Sequence, residues 1–314
     1  MLATRSLQDV TQGMLEDRLD AFAFAEALRA HFAGEAGMPP DTTEITTREG
    51  IALSPSGAAA CIDDVHRTRK FIRGIHAAIR DALTRKARLR VLYVGPGPYG
   101  TLLTPLLALW GPLPFEQVDL VEINPQSART LARWLDTLDF PPGRLRLHEG
   151  SLLEFAPEAG YDLIVCEVMA RALTREPQVA LTRHARQFLA PRGIFIPEEI
   201  RLSWAISSQG KEPEWPDRYP HAGPEHPCGA PLGVLSMAQD IPATTAVEVE
   251  RRYHPGQELL LFTTVKAYGE EELKEGESLI TNPLCVFSNF RRFPSRLYLD
   301  YITGRLPGWR VRED

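Results

Sequence analysis

The sequence has few of the features that mark secreted, membrane or metal-binding proteins. Its four cysteines are far apart, at Cys61, Cys166, Cys228 and Cys285, and they form no CxxC pair and no zinc-like spacing. It has no run of about 18 apolar residues, and its first residues lack the apolar centre of a secretion signal. We therefore expect reduced thiols in a cytoplasmic protein with no metal site and no membrane segment.

A strong positive charge is also missing. The chain carries 35 Lys and Arg against 41 Asp and Glu, a net charge of −6. Nucleic-acid-binding proteins depend on a basic field, so we predict no nucleic-acid partner. The rest of the composition, 44% hydrophobic and 24% charged in 314 residues, is that of a globular protein that can bury a sizeable core.

Three zones can be distinguished, which we interpret as domains at 1–60, 61–200 and 201–314. In the first, apolar residues three or four apart predict one helix through residues 15–28, which ends before Pro39 and Pro40. We call this zone an N-terminal helical segment. A second helix is predicted over residues 63–86, at the start of the middle zone.

The middle zone alternates short apolar runs with helix-length segments. The predicted strands are 89–94, 118–122, 145–148, 161–166 and 193–197. Strand–helix–strand order at this spacing indicates a parallel sheet with helices on both faces. The predicted fold class is therefore α/β, with a Rossmann-like parallel-sheet domain at its centre.

The third zone changes character. Prolines cluster between residues 210 and 233, which predicts a long loop, and we expect this loop and the first 60 residues to form the entrance of the pocket. The runs 244–249, 258–267 and 296–301 follow, rich in β-branched and aromatic residues. They predict a smaller, mostly antiparallel β-rich domain for substrate binding or oligomerisation.

A glycine-rich turn is the strongest local motif. Residues 91–100 read VLYVGPGPYG, so a strand runs into Gly95, Gly97 and Gly100 before a helix predicted over 102–110. Glycines let the backbone turn sharply and approach a ligand, and a helix N-terminus offers free N–H groups. The spacing G-x-G-x-x-G also fits an NAD site, although no His or Tyr-Lys pair suited to hydride transfer is recognised.

The next strand ends in a carboxylate. Glu122 lies 22 residues after Gly100, where an acidic side chain can accept hydrogen bonds from both ribose hydroxyls of a nucleoside. We therefore predict a nucleoside site across the glycine turn. The third strand ends at residues 147–152 and the fourth at Glu167. Both segments resemble those of S-adenosylmethionine-dependent methyltransferases more than those of NAD enzymes, so we expect S-adenosylmethionine as the cofactor.

The segment after the fourth strand resembles the double-glutamate loop of the protein arginine methyltransferases. Glu167, Met169 and Glu176 match its first glutamate, its methionine and its second glutamate. The run 188–197 is similar to the strand entry that follows in this family. The resemblance implies that these three residues form the catalytic site, with Met169 beside the substrate.

A second matching segment lies upstream, at residues 64–75, which resemble the family's D-x-x-R-T-x-x-Y helix. There the resemblance implies that Arg67 holds the carboxylate of S-adenosylmethionine, and that the adenine lies at the end of the third strand. The resemblance covers roughly residues 60–200. The expected cofactor-binding residues are Arg67, Gly95, Gly97, Gly100, Glu122, Ser151 and Leu152.

The predicted function is N-methylation of a guanidine nitrogen that depends on S-adenosylmethionine. The C-terminal zone lacks the family's Thr-His-Trp motif and dimerisation arm, so the acceptor stays open between a small molecule and a peptide carrying a guanidine or amine. The oligomeric state is open too, with a homodimer among the alternatives. Competing functions are methylation of another small molecule, transfer or cyclisation of the aminocarboxypropyl group, and a silent nucleoside-binding partner subunit.

Overall fold

The structure, a computed structural model, describes residues 6–35, 37, 39–212, 214–216, 230–249, 256–288 and 294–314. Within these ranges the helices are α1 (Leu7–Leu15), α2 (Ala21–Glu35), α3 (Pro55–Ala60), α4 (Val65–Leu83), α5 (Thr104–Trp110), α6 (Pro125–Leu135) and α7 (Gln178–Ala185). The strands are β1 (Ile45–Thr46), β2 (Ile51–Ala52), β3 (Leu89–Val94), β4 (Phe115–Glu122), β5 (Leu145–Glu149), β6 (Tyr161–Cys166), β7 (Leu189–Ile196), β8 (Glu199–Ser207), β9 (Ala230–Ser236), β10 (Thr244–Glu248), β11 (Glu258–Tyr268), β12 (Glu271–Leu273), β13 (Leu284–Ser288), β14 (Arg296–Ile302) and β15 (Gly308–Glu313).

The central sheet is parallel throughout, in the order β5-β4-β3-β6-β7. This confirms the predicted α/β class, and all five strands lie where the apolar runs placed them. In register, Val94 at the end of β3 pairs with Val121 of β4 and with Cys166 of β6. The glycine turn after β3, Glu122 at the end of β4 and Glu167 after β6 therefore meet at one edge of the sheet.

The prediction of one helix through residues 15–28 is wrong. The chain forms two helices there, because α1 ends at Leu15 and α2 begins at Ala21. Between them Asp17 has a left-handed φ of 57°, and the Asp20 carboxylate accepts a hydrogen bond from the backbone N–H of Ala23 at 2.8 Å. Aspartate is favoured at helix starts and disfavoured within helices, so it divides the apolar stripe. The hairpin β1–β2 and α3, also in residues 1–60, were not predicted.

Helix α4 connects the two halves of the molecule and begins at the Asp64 cap, whose carboxylate accepts from the Arg67 backbone N–H at 3.3 Å. It packs against β11 and β12. At Gly74 a side-chain Cβ would lie 3.0 Å from the Cβ of Ala267, so the helix approaches β11 closely. No helix in the described ranges is both long and apolar enough to span a membrane.

The C-terminal part is antiparallel, as predicted. One sheet has the order β12-β11-β8-β9, with β13 also paired to β11, and a smaller one has the order β10-β14-β15. The predicted strands are present as β10, β11 and β14, whereas β8, β9, β12, β13 and β15 were not predicted. The predicted 210–233 loop ends too late, because β9 begins at Ala230. Its residues 213 and 217–229, with Cys228, lie outside the described residues.

Candidate active site

A cavity of about 640 Å³ lies at the carboxyl ends of β3, β4 and β6. Parallel sheets bind ligands at this edge, where loops leave the strands. All but one of the predicted site residues line it, namely Arg67, Gly95, Gly97, Glu122, Ser151, Leu152, Glu167, Met169 and Glu176. The exception is Gly100, the last glycine of the turn, which does not line the cavity.

The glycines of the turn serve two different purposes. Gly95 and Gly97 have left-handed φ values of 63° and 65°, and a side chain on Gly95 would overlap Val168 in the loop after β6. These two glycines therefore let the backbone form the cavity wall. Gly100 has a φ of 57°, and a Cβ there would lie 2.8 Å from Cγ2 of Thr104. It permits the close packing of α5 instead of lining the cavity.

Glu122 is the last residue of β4 and is 5% exposed. Its two carboxylate oxygens each accept a backbone hydrogen bond at 2.8 Å, one from Gly97 and the other from Asn124. Burial raises the pKa of this carboxyl, and the backbone N–H groups oppose that effect. The carboxylate is thus held in one orientation against the glycine turn.

Arg67 and Glu167 form a buried ion pair inside the cavity. Glu167 is 4% exposed, and its second carboxylate oxygen, Oε1, is buried with no hydrogen-bond partner among the described residues. The same holds for Nε of Arg67. Buried polar atoms are nearly always hydrogen-bonded, so two unpaired atoms on facing side chains indicate that a polar ligand completes the site.

Glu176 reaches the cavity from a loop with unusual backbone geometry. Burial raises the pKa of its carboxyl to about 7, although Arg67 and Arg175 oppose the shift. Its carboxylate forms no hydrogen bond or ion pair within the described ranges. Ala172, Leu173 and Arg175 have left-handed φ values of 53°, 57° and 67°. Such residues cost about 1–3 kcal/mol each, so other parts of the fold must hold them.

The C-terminal strands hold this loop. The Tyr301 hydroxyl donates to the carbonyl of Leu173 at 2.7 Å, and the Trp309 indole N–H donates to the carbonyl of Ala172 at 2.9 Å. The backbone N–H of Arg175 donates to the carbonyl of Pro307 at 2.8 Å. The β14–β15 hairpin therefore sets the position of the second glutamate, although it contributes no predicted site residue.

One wall of the cavity is formed by residues 214–216, which lie in the proline-rich segment expected to form the pocket entrance. The backbone N–H and C=O of Trp215 exchange hydrogen bonds with the side-chain amide of Asn282, at 2.8 and 2.7 Å. Ser278, which lies four residues before Asn282 in the chain, donates a hydrogen bond at 2.6 Å to the carboxylate of Asp64, the residue that caps α4. Trp215 is thus connected to the helix that carries Arg67. Only the density of prolines around it signalled a functional segment.

Carboxylates dominate the cavity. Its ionisable lining groups include the acidic residues Glu49, Asp64, Glu122, Glu167, Glu176 and Glu214 and the basic residues Arg67 and Arg171. Among the described residues no cluster of three or more His, Cys, Asp or Glu side chains could hold a metal ion. The surplus of negative charge therefore suits an organic cation.

Comparison with solved structures shows which fold surrounds this cavity. A Trypanosoma brucei PRMT1 enzyme-prozyme heterotetrameric complex with AdoHcy matches with a TM-score of 0.55 at 16% identity, over 81% of this chain and 92% of that one. Arabidopsis thaliana protein arginine methyltransferase 10 matches with a TM-score of 0.56 at 14% identity, over the same shares. This chain shares the fold of these two proteins. No family model and no curated protein matches the sequence.

Proposed function

We propose that this chain is an S-adenosylmethionine-dependent N-methyltransferase that methylates a guanidine nitrogen, on a small arginine-like molecule or on a protein arginine. The observation that carries the proposal is the Glu167 carboxylate. It shares one cavity with Glu122 and Glu176, and its second oxygen has no hydrogen-bond partner in the described part of the chain. In this proposal the nucleoside binds at the end of the cavity that Glu122 lines, and the guanidine binds at the end that Glu167 and Glu176 line.

The residues present fit S-adenosylmethionine. Arg67 would hold its carboxylate, Glu122 its ribose hydroxyls, and Ser151 and Leu152 its adenine, while Gly97 allows close backbone approach. When bound, this cofactor supplies a methyl group already activated on a sulfonium. The protein therefore has to position the acceptor, and orientation of this kind can contribute about 7–11 kcal/mol.

The two glutamates suit a guanidine acceptor. A guanidinium is a weak nucleophile because its lone pairs are delocalised over three nitrogens. Carboxylates at Glu167 and Glu176 match its planar donors and draw positive charge away from the attacking nitrogen. The reaction releases one proton, and Glu176, with a pKa of about 7, is suited to accept it near neutral pH.

The raised pKa of Glu176 predicts a pH dependence. We expect kcat/KM to rise as pH increases through about 7, because ionised Glu176 is needed to bind the cation and accept the proton. The free energy of unfolding should change in the opposite direction and decrease as pH rises. Between the ordinary pKa of 4.5 and about 7 the folded chain holds a proton that the unfolded chain releases, so stability falls as pH rises.

The measurements are a pH–rate profile and chemical unfolding at several pH values. Glu176→Gln is the control, because it removes the titrating group and should abolish the rise in rate and this part of the stability change. A wild-type profile that is flat between pH 6 and 8 would contradict this assignment of Glu176.

Gly50 offers a test of how the second glutamate is held. Its φ is 155°, and an added Cβ would lie 2.8 Å from the nitrogen of Pro177 and 3.0 Å from the carbonyl carbon of Glu176. Gly50→Ala should displace this segment and lower kcat/KM by about 10²-fold, the cost of a misplacement near 1 Å. Steady-state kinetics and thermal unfolding would separate misplacement from loss of fold.

Gly34→Ala is the matched control, because nothing lies within 4 Å of a Cβ at that position in α2. It should keep full activity and gain about 0.5–1 kcal/mol of stability. Equal activities of the two variants would show that the Gly50 contact does not set the position of Glu176.

One experiment tests the proposed function directly. The protein is incubated with methyl-labelled S-adenosylmethionine and with arginine, other small amines or arginine-rich peptides, and the products are identified by mass spectrometry. We expect a methylated guanidine nitrogen and S-adenosylhomocysteine. A methyl on oxygen, sulfur or carbon would reject guanidine methylation, and release of methylthioadenosine would show aminocarboxypropyl transfer instead.

A further inference from the structure

A second cavity of about 560 Å³ lies next to the first and shares part of its wall. Glu49, Glu176 and Pro177 line both cavities. The volume lies within the range of small-molecule sites. No predicted cofactor-binding residue lines the second cavity, so the cofactor leaves it free for another group.

The charge of the lining changes from the first cavity to the second. The shared wall carries the carboxylates of Glu49 and Glu176, whereas Arg48, Arg183 and His184 line the second cavity alone. Arg183 is neutralised by Asp240, whose carboxylate lies 2.7 Å from its Nε. The side chain of Arg48 has no ion pair or hydrogen bond in the part of the chain that the structure describes, and it is exposed.

Because Arg48 follows the β1 strand and precedes Gly50, its backbone belongs to the hairpin that contacts the segment of Glu176. The backbone N–H of Ile51 donates to the carbonyl of Arg175 at 2.9 Å, which joins hairpin and loop. Arg48 thus lines the same second cavity as Glu176, and within the described residues its side chain has no partner.

We propose that the second cavity binds the carboxylate of a zwitterionic acceptor, whose guanidinium lies at Glu167 and Glu176. This rests on the proposed function and narrows it: the acceptor is a free amino acid with a guanidine side chain. Its cationic end is attracted to the acidic first cavity and its anionic end to Arg48. An arginine within a peptide offers a neutral amide at that position and leaves Arg48 unpaired.

The test compares acceptors that share the guanidine and differ at the other end. These are L-arginine, L-argininamide, agmatine and a blocked peptide with one central arginine. Wild-type kcat/KM for L-arginine should exceed the other three values by about two- to fivefold, the size expected for one exposed charge pair. The difference should appear mainly in KM, because the reacting groups are the same.

Two variants of Arg48 assign the preference to this site. Arg48→Gln should raise the KM of L-arginine to that of L-argininamide and leave kcat and the other acceptors unchanged. Arg48→Lys should restore part of the preference. Arg129→Gln, which removes an exposed arginine of α6 that lines neither cavity, is the control and should behave as wild type.

The outcomes distinguish this inference from the function on which it rests. If wild type methylates guanidines with no preference for L-arginine, or if Arg48→Gln affects all acceptors equally, the carboxylate site is wrong and guanidine methylation stands. Faster turnover of the peptide would also overturn it. If no compound of the series is methylated, both proposals fall.

Discussion

Glu167→Gln is expected to lower methyl transfer by about 10²–10³-fold, the usual cost of removing one preorganised electrostatic group. Glutamine has nearly the same shape, but it is neutral and presents an NH₂ where an acceptor oxygen stood. It cannot attract the positive charge of a guanidinium, and it cannot accept hydrogen bonds from two of its N–H groups. The acceptor's attacking nitrogen would then keep its delocalised lone pair, so the chemical step slows.

The substitution has a second consequence because Glu167 is paired with Arg67. Breaking a buried ion pair on one side costs about 3–5 kcal/mol, so the variant has to be shown to be folded before its lost activity is assigned to the chemical step. Thermal unfolding and the affinity for S-adenosylhomocysteine should therefore be measured beside kcat. We expect a folded protein of lower stability that still binds this nucleoside.

Glu149→Gln is the control for this experiment. Glu149 ends β5, pairs in register with Glu122 and is exposed outside the cavity, so its loss should leave kcat unchanged. Full activity of Glu167→Gln, in a sample shown to be folded, would remove Glu167 from the proposed mechanism.

The second large effect is expected at the other end of the cavity, where Glu122→Gln should weaken binding of S-adenosylmethionine by about 10–100-fold. Each hydrogen bond from a ribose hydroxyl to a carboxylate is worth about 1.5–3 kcal/mol, and glutamine keeps only one acceptor oxygen. Its NH₂ group would also face the backbone N–H of Gly97 or Asn124, both of which now donate to the carboxylate.

Isothermal titration with S-adenosylmethionine and with S-adenosylhomocysteine measures this effect without an acceptor. Both nucleosides carry the same ribose, so their affinities should fall by the same factor. Glu149→Gln again provides the comparison. An unchanged affinity in Glu122→Gln would show that this carboxylate does not bind the ribose. It would also contradict the nucleoside site as a whole.

The middle of the chain was predictable because its signals are local. A strand buried on both faces of a parallel sheet must be apolar along its length, so the run from Leu89 to Val94 is recognisable in any context. The glycine turn and the acidic residue at the end of the next strand are recognisable for the same reason, because each is marked by residues that are close together in the chain. The N-terminal helix was misjudged because the apolar spacing was weighed above the two aspartates that interrupt it.

Glu176 shows where local reasoning stops. Its neighbours Arg171 and Arg175 would suit an exposed, ion-paired glutamate, and only the spacing to Glu167 favoured a place in the site. In the structure Arg175 pairs with Glu44, while Glu176 faces the cavity with a raised pKa. The choice between the two arrangements depends on contacts made by distant parts of the chain.

The sequence by itself determined the parallel sheet, the turn and the carboxylates at its edge, since each depends on residues close together in the chain. Tertiary structure alone decided how the double-glutamate loop is held, because its anchors Tyr301 and Trp309 lie 128 and 137 residues from the carbonyls they bind. It also decided the wall at Trp215 and the second cavity. Such contacts arise only when separate elements pack, and no periodicity in the sequence records them.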